Sequence, residues 1–200
     1  MLSTDEGTRM TTATARERLI EAAVEAFAEK GFTATTTRDI AARAGMSPAA
    51  VYVHHATKES LLHTISVEGH RAALDVIAVA AAPDVEPTER LRRSVHAFSA
   101  WHATNSRVGR IVQYEFDALT PEHRAEIAGL RRAIERHLQQ VLEAGTESGD
   151  FDVQDLPGTA RAILSLSIDL VRWFSPDGPQ SPDDVASLHE RLALRMVLRP

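Results

Sequence analysis

Side chains able to bind phosphates and base edges lie close together between residues 35 and 58. Hydroxyl, imidazole and cationic groups hydrogen-bond to phosphate oxygens, while methyl groups and polar atoms meet the edges of bases. We expect phosphate contacts from Tyr52 and Lys58 and methyl contacts from Ala49 and Ala50. The residues that we take as candidates for DNA contact are Thr35, Thr37, Arg38, Ser47, Ala49, Ala50, Tyr52, His54, His55 and Lys58.

A tight turn must position these residues. Ile40 and Ala41 share one face of a short predicted helix, and Gly45 follows where a left-handed residue would end it. Ser47 then serves as N-cap of a second helix, and Pro48 fits its first turn, where a missing N–H costs nothing. Two helices joined by such a turn form a helix-turn-helix, whose second helix enters the major groove. The sequence therefore predicts binding of double-stranded DNA.

The overall charge is acidic, with 28 acidic against 22 basic residues and a formal net charge of -6. Residues 13–60 carry six of each sign. What matters for DNA is how the charges are distributed, and Glu17, Glu21, Glu25 and Glu29 recur every four residues along one helix face. Free N–H groups at helix N-termini also bind phosphate. Net acidity therefore does not exclude a DNA-binding face.

Composition narrows the remaining classes. The 200 residues are 44% hydrophobic, enough for a buried core, and contain no cysteine, which excludes disulfides and thiolate metal sites. No histidine pair has the i, i+4 spacing of a helical metal site, so we predict no metal and no cofactor. No apolar signal segment or membrane-length apolar run is present, so we expect a cytoplasmic protein without membrane contact.

The chain is predicted to be all-α. Residues 1–12 are expected to form a flexible arm, residues 13–60 the three-helix DNA-binding domain, and residues 61–200 a larger helical domain for ligand binding and dimerisation. Besides the two helices of the turn, periodicity and capping signals predict helices over 14–30, 58–82, 87–103, 105–119, 121–148, 155–175 and 181–198. Thr57 is expected to cap the second of these, and Thr120-Pro121 and Ser181-Pro182 repeat the capping pattern of Ser47-Pro48.

Residues 16–62 resemble the DNA-binding domain of the TetR family of bacterial transcriptional regulators. Members usually carry Tyr-x-Tyr-Phe near the end of the recognition helix, and this chain has Tyr52-Val53-His54-His55. The resemblance implies a homodimer on a palindromic operator, with the recognition helices in successive major grooves. It also implies that a small-molecule inducer in the larger domain moves those helices apart.

Two apolar segments near the C-terminus predict the dimer interface. Residues 160–174 are apolar on more than one helical face, so this helix must pack against two partners. The last helix carries Val185, Leu188, Leu192 and Val197 with Met196. Pairing both helices with their symmetry mates would form a four-helix bundle, so we place the dimer contact within residues 155–198.

A mainly apolar inducer pocket with a few polar anchors is expected in the larger domain. Its predicted lining is Phe98, Trp101, His102, Arg107, Ile111, Tyr114, Glu115, Leu164 and Ile168. Val171-Arg172-Trp173-Phe174 also resembles a segment of TetR-family repressors that respond to CoA thioesters. Those members hold their ligand with an Arg and a Trp, and the matching positions here are Leu164 and Ile168, so an acyl-CoA and another lipophile both remain open.

The leading functional hypothesis is a repressor released from DNA by a small apolar or acyl-type inducer. The alternative is a helical enzyme or a lipid or acyl carrier that uses the helix-turn-helix only as scaffold, with His96, His102 or Glu115 as acid–base groups. A third hypothesis is an architectural DNA-binding protein without a ligand, but it would leave roughly 110 further helical residues without a role. No phosphate loop or nucleophile motif in the sequence supports an enzyme.

Overall fold

A computed structural model describes residues 14–198, and the arm predicted over residues 1–12 lies outside them. Within this part the chain is helical, and its β-pairing is limited to one isolated antiparallel bridge between Phe151 and Leu198. The prediction of an all-α fold is therefore confirmed. The helices are α1 (Ala15–Ala34), α2 (Thr37–Arg43), α3 (Pro48–His54), α4 (Lys58–Ala80), α5 (Pro87–Thr104), α6 (Ser106–Tyr114), α7 (Pro121–Ser148), α8 (Leu156–Asp169) and α9 (Pro182–Val197).

The predicted capping residues begin the helices as expected. The hydroxyl of Ser47 accepts from the backbone N–H of Ala50 at 3.3 Å, which starts α3. Thr57, Thr120 and Ser181 cap α4, α7 and α9 in the same way. Gly45 adopts φ +66°, a conformation that favours glycine and lets the chain turn sharply between α2 and α3.

Two helices end earlier than the sequence predicts. Helix α6 stops at Tyr114 and is followed by a 3-10 turn over Phe116–Ala118. Helix α8 stops at Asp169, and its continuation is a second 3-10 turn. At that turn Arg110 donates two hydrogen bonds, of 3.1 and 3.0 Å, to the carbonyl of Val171. A side chain from α6 thus satisfies a carbonyl that a longer α8 would have bonded internally.

Helices α1 to α3, which form the predicted DNA-binding domain, share a hydrophobic core with α6 and α7 of the larger domain. Leu19, Ile40 and Val51, from α1 to α3, pack in one cluster with Ile111 of α6 and Ile127 of α7. A second cluster fills the space between α4, α5, α7, α8 and α9. Displacement of α6 in the larger domain would therefore bear directly on the helix-turn-helix.

The helices within residues 14–198 include none that combines the length and apolar character required to cross a bilayer.

Candidate DNA-binding surface and ligand cavity

Helix α3 presents an exposed face beside the start of α2. Tyr52 is 54% exposed, and its hydroxyl lies 3.2 Å from the hydroxyl of Thr37. Arg38 is exposed in the first turn of α2, and no carboxylate of the described residues lies within 4.0 Å of it. Ala49 and His54 are exposed on α3. These exposed groups are hydrogen-bond donors and a small side chain, the types that contact phosphates and base edges.

Ion pairs neutralise part of the acidic stripe on α1. Arg43 of α2 contacts Glu29, and its distance to Glu25 is 3.2 Å. Lys30 lies 3.6 Å from Asp39. These pairs join α1 to α2, and the carboxylates that they engage repel DNA less than free carboxylates would.

Thr35 and His55 lie inside the protein, which corrects their predicted place at the DNA surface. Thr35 is 1% exposed, and its hydroxyl donates to the carbonyls of Ala26 and Gly31 at 3.1 and 2.7 Å. His55 is 8% exposed, and burial lowers its pKa below the usual 6.5. Neither side chain reaches the surface where a phosphate would lie, and Thr35 instead bonds to the C-terminal part of α1.

Lys58 also has a role other than the one predicted. Its ammonium group donates to the carbonyls of Phe32, Thr33 and Thr35 at 2.6, 3.4 and 2.7 Å. It also lies 4.3 Å from the centre of the Phe32 ring. An ammonium has three N–H donors, so these three bonds leave none for a phosphate. Lys58 therefore joins the start of α4 to the end of α1.

We expect Lys58→Ala to destabilise the protein without changing the salt dependence of DNA binding. Removing a charged donor from three carbonyls costs roughly 1.5–3 kcal/mol, measurable by urea unfolding. The matched control is Lys30→Ala, since Lys30 is the only other lysine in the chain and forms an exposed ion pair with Asp39. Its removal should lower the free energy of unfolding by less than about 1 kcal/mol. A salt slope reduced by about one charge in Lys58→Ala would restore the phosphate role.

A cavity of about 280 Å³ lies among α4 to α8. Five of the predicted residues line it, namely Phe98, Trp101, His102, Leu164 and Ile168. The sequence prediction missed the contribution of α4 and α7, which bring His70, Ala73, Arg131, Ile134 and Glu135 to the cavity. Glycines at 69 and 109 inside helices were the available signal, since a helical glycine often marks close packing. A Cβ at Gly109 would lie 2.8 Å from a Val171 methyl.

Four predicted lining residues lie elsewhere. Arg107 is exposed, and Tyr114 lines a neighbouring surface depression together with Ile168. Ile111 points into the core shared with the DNA-binding unit, because it is on the opposite side of α6 from the cavity. Glu115 accepts a hydrogen bond of 3.0 Å from the backbone N–H of Phe32.

The Glu115 contact forms where α1 is interrupted. Gly31 has φ +76°, which breaks the helix and frees the N–H of Phe32 for a side-chain acceptor. The backbone of Phe32 is thus held at its N–H by Glu115, which follows α6, and at its carbonyl by Lys58 of α4. This junction joins two helices that line the cavity to the end of α1. We name the Glu115–Phe32–Lys58 contact the junction.

Two neutral histidines stand beside a cation in the cavity. The Nδ1 of His70 donates to the Ser66 carbonyl at 2.8 Å, and its Nε2 accepts from Arg131 Nε at 3.1 Å. The Nδ1 of His102 donates to the Phe98 carbonyl at 2.8 Å, which leaves Nε2 as an acceptor. Burial lowers the pKa of both histidines to about 4. The cavity thus places two neutral acceptors near the guanidinium of Arg131.

We expect acid to destabilise the protein before its carboxylates titrate. The unfolded chain takes up protons at these histidines near pH 6.5, whereas the folded chain does so only near pH 4. Their contribution to stability is therefore complete above pH 6.5 and is lost as pH falls towards 4. Urea unfolding between pH 7 and 4.5 measures the slope. His70→Gln should flatten it more than the control His137→Gln, and equal slopes would contradict this assignment.

The fold and the two sites define a helix-turn-helix DNA-binding regulator with a cavity in its larger domain. The family model described as bacterial regulatory proteins, tetR family, matches residues 19–65. The model for a tetracyclin repressor-like C-terminal domain matches residues 84–197. The HTH-type transcriptional repressor KstR2 of Rhodococcus jostii strain RHA1 is 30% identical over 194 residues, which cover 92% of each chain.

Solved structures agree with this assignment. A bacterial regulatory protein in the tetR family from Rhodococcus RHA1 is 46% identical with a TM-score of 0.89, covering 94% of this chain and 100% of that one. The ketosteroid transcriptional regulator KstR2 of Mycobacterium tuberculosis is 26% identical with a TM-score of 0.85, covering 94% and 97%. The chain belongs to the TetR family. It is a DNA-binding transcriptional regulator and not an enzyme, so the alternative of a helical enzyme is wrong.

Proposed function

We propose that this regulator is a cytoplasmic homodimeric repressor of a palindromic operator, released when a small, mainly apolar molecule enters the cavity. The observation that carries the proposal is the junction, because it connects cavity-lining helices to the DNA-binding unit. The similarity to KstR2 repressors supports repression rather than activation of transcription. The similarity to the ketosteroid transcriptional regulator KstR2 of Mycobacterium tuberculosis supports an apolar ligand.

On the DNA side, Tyr52 and Arg38 are proposed to bind phosphates, and Ala49 is proposed to meet base edges. Thr37 holds the Tyr52 hydroxyl at 3.2 Å, which orients it away from the core. Ser47 and Ala50 lie in the first turn of α3, where helix N–H groups approach the backbone of DNA. His54 adds a donor at the other end of the helix. The small side chains favour reading by shape and methyl contact.

Helix α9 supports the dimer, because it has two apolar faces. One face, with Val185 and Val197, is buried within the chain. The other carries Leu188, Leu192 and Met196 at helical spacing and is exposed by 37%, 38% and 45%. A row of exposed large apolar side chains on one helix is typical of a subunit interface. The predicted stripe is thus divided, and its exposed half is the one that we assign to the partner subunit.

The proposed release works through α4 and α6. A ligand between these helices and α8 presses on Val108 and Val112 of α6, which line the cavity. Because Glu115 directly follows α6, displacement of this helix changes the contact with Phe32 and hence the position of α1 relative to α4. Differential contacts in two positions of α6 supply the coupling free energy, typically about 1–3 kcal/mol or 5–150-fold in affinity.

Operator retardation tests the proposal. A fragment upstream of the protein's own gene should give one retarded species, protected over two half-sites with centres about 34–36 Å apart or a multiple of that distance. Trp101→Ala should raise the inducer concentration needed for release and leave unliganded DNA binding nearly unchanged. Loss of DNA binding by this variant at full stability would show that the cavity is not a separate regulatory site.

A further inference from the structure

The cavity contains a guanidinium that has no carboxylate partner among residues 14–198. Arg131 has one hydrogen bond to a protein acceptor, from Nε to His70, and its guanidinium lies 4.4 Å from the centre of the Phe116 ring. No carboxylate of residues 14–198 lies within 4.0 Å of it. Glu135, one helical turn further along α7, is instead 3.6 Å from Arg161. Partial burial of a cation whose N–H donors are unpaired costs free energy unless an anion binds to it.

The surroundings of Arg131 favour an organic acid as that anion. His70 and His102 are neutral acceptors, so Arg131 is the cation in the interior of the cavity. The other basic lining residue, Arg161, is 70% exposed at its side chain and already paired. Most of the remaining lining is apolar, with Phe98, Trp101 and Leu164 among it. An apolar body therefore has a place beside the guanidinium of Arg131.

The volume of the cavity limits the ligand further. About 280 Å³ lies just below the roughly 300–1,000 Å³ that small-molecule sites enclose. If the acyl end of a coenzyme A thioester entered this space, it would bring a neutral thioester carbonyl to Arg131 and no carboxylate. Planar guanidinium groups bind carboxylates with two parallel hydrogen bonds, and the two terminal nitrogens of Arg131 are available for them.

We propose that the inducer is a small apolar carboxylic acid in its free form, whose carboxylate is paired by Arg131 inside the cavity. This inference rests on the proposed function only in its claim that the bound acid releases the protein from DNA. The assignment of Arg131 as the acid-binding residue depends on the cavity alone.

The fluorescence of Trp101 provides a direct test. Trp173 is the only other tryptophan and is 49% exposed, so Trp173→Phe leaves Trp101 as the sole reporter in the cavity. The probes are octanoate, cyclohexanecarboxylate and 1-naphthoate, each compared with its primary amide, and octanoyl-CoA. At least one acid should bind roughly 10–150-fold more tightly than its amide, the range expected for hydrogen bonds to a charged group.

Arg131→Gln should remove most of this preference, while Arg131→Lys should retain part of it. Equal affinities of acids and amides would overturn the proposal, as would octanoyl-CoA binding more tightly than octanoate or no acid binding at millimolar concentration. These comparisons in the Trp173→Phe protein alone decide the ligand class if Arg131→Gln fails to fold. Acids that bind without weakening operator retardation would refute the release mechanism and leave the acid site standing.

Discussion

Leu192→Asp should convert the dimer to monomers. An isologous interface buries the substituted position twice, and each unpaired charge costs roughly 3–5 kcal/mol. The dissociation constant of the dimer should then rise by about 10⁴-fold or more. Sedimentation velocity across a dilution series measures this directly, and operator affinity should collapse with it because one recognition helix alone meets only one half-site.

Val79→Asp is the matched control for that substitution. Val79 is an apolar residue on α4 that is 78% exposed, outside the proposed interface. The same charge placed there should leave the dimer intact. A tight dimer in Leu192→Asp, or monomers in Val79→Asp, would show that the exposed face of α9 is not the interface.

Arg38→Ala is expected to weaken DNA binding at all sequences alike. A phosphate contact is worth roughly 1 kcal/mol, and the dimer makes it twice, so operator affinity should fall by about 30-fold. The slope of log affinity against log salt should decrease by about two charges per dimer. Fluorescence anisotropy with labelled operator at several salt concentrations separates the two effects.

The control for Arg38 is Arg136→Ala, which removes the same charge from an exposed position on α7 in the larger domain. Its operator affinity and salt slope should match those of the unaltered protein. A loss in Arg38→Ala confined to one base pair of the operator would assign Arg38 to base reading instead.

The local structure could be predicted because its causes are local. Ser47, Thr57, Thr120 and Ser181 each accept from an N–H three residues ahead, so neighbouring residue types are sufficient to place these helix starts. The turn at Gly45 depends on the same short range. On α5 and α8, the predicted residues Phe98, Trp101, His102, Leu164 and Ile168 do line the cavity.

The parts that could not be predicted depend on contacts between distant segments. Lys58 finds its carbonyls 23 to 26 residues away, and Glu115 meets Phe32 across 83 residues. A single sequence does not show which helices pack together, so both side chains were assigned to surfaces that they do not reach. For the same reason the sequence does not indicate that His70 and Arg131 line the cavity, since the contact between them spans 61 residues.

The most direct test of the central claim is the reciprocal linkage between operator and cavity ligand. Calorimetry should measure the affinity of the best-binding acid for the free dimer and for the dimer saturated with operator. A ligand that releases the repressor must bind the DNA complex more weakly, by the same factor by which it lowers operator affinity, typically 5–150-fold. Equal ligand affinities for the free and the operator-bound dimer would contradict the account.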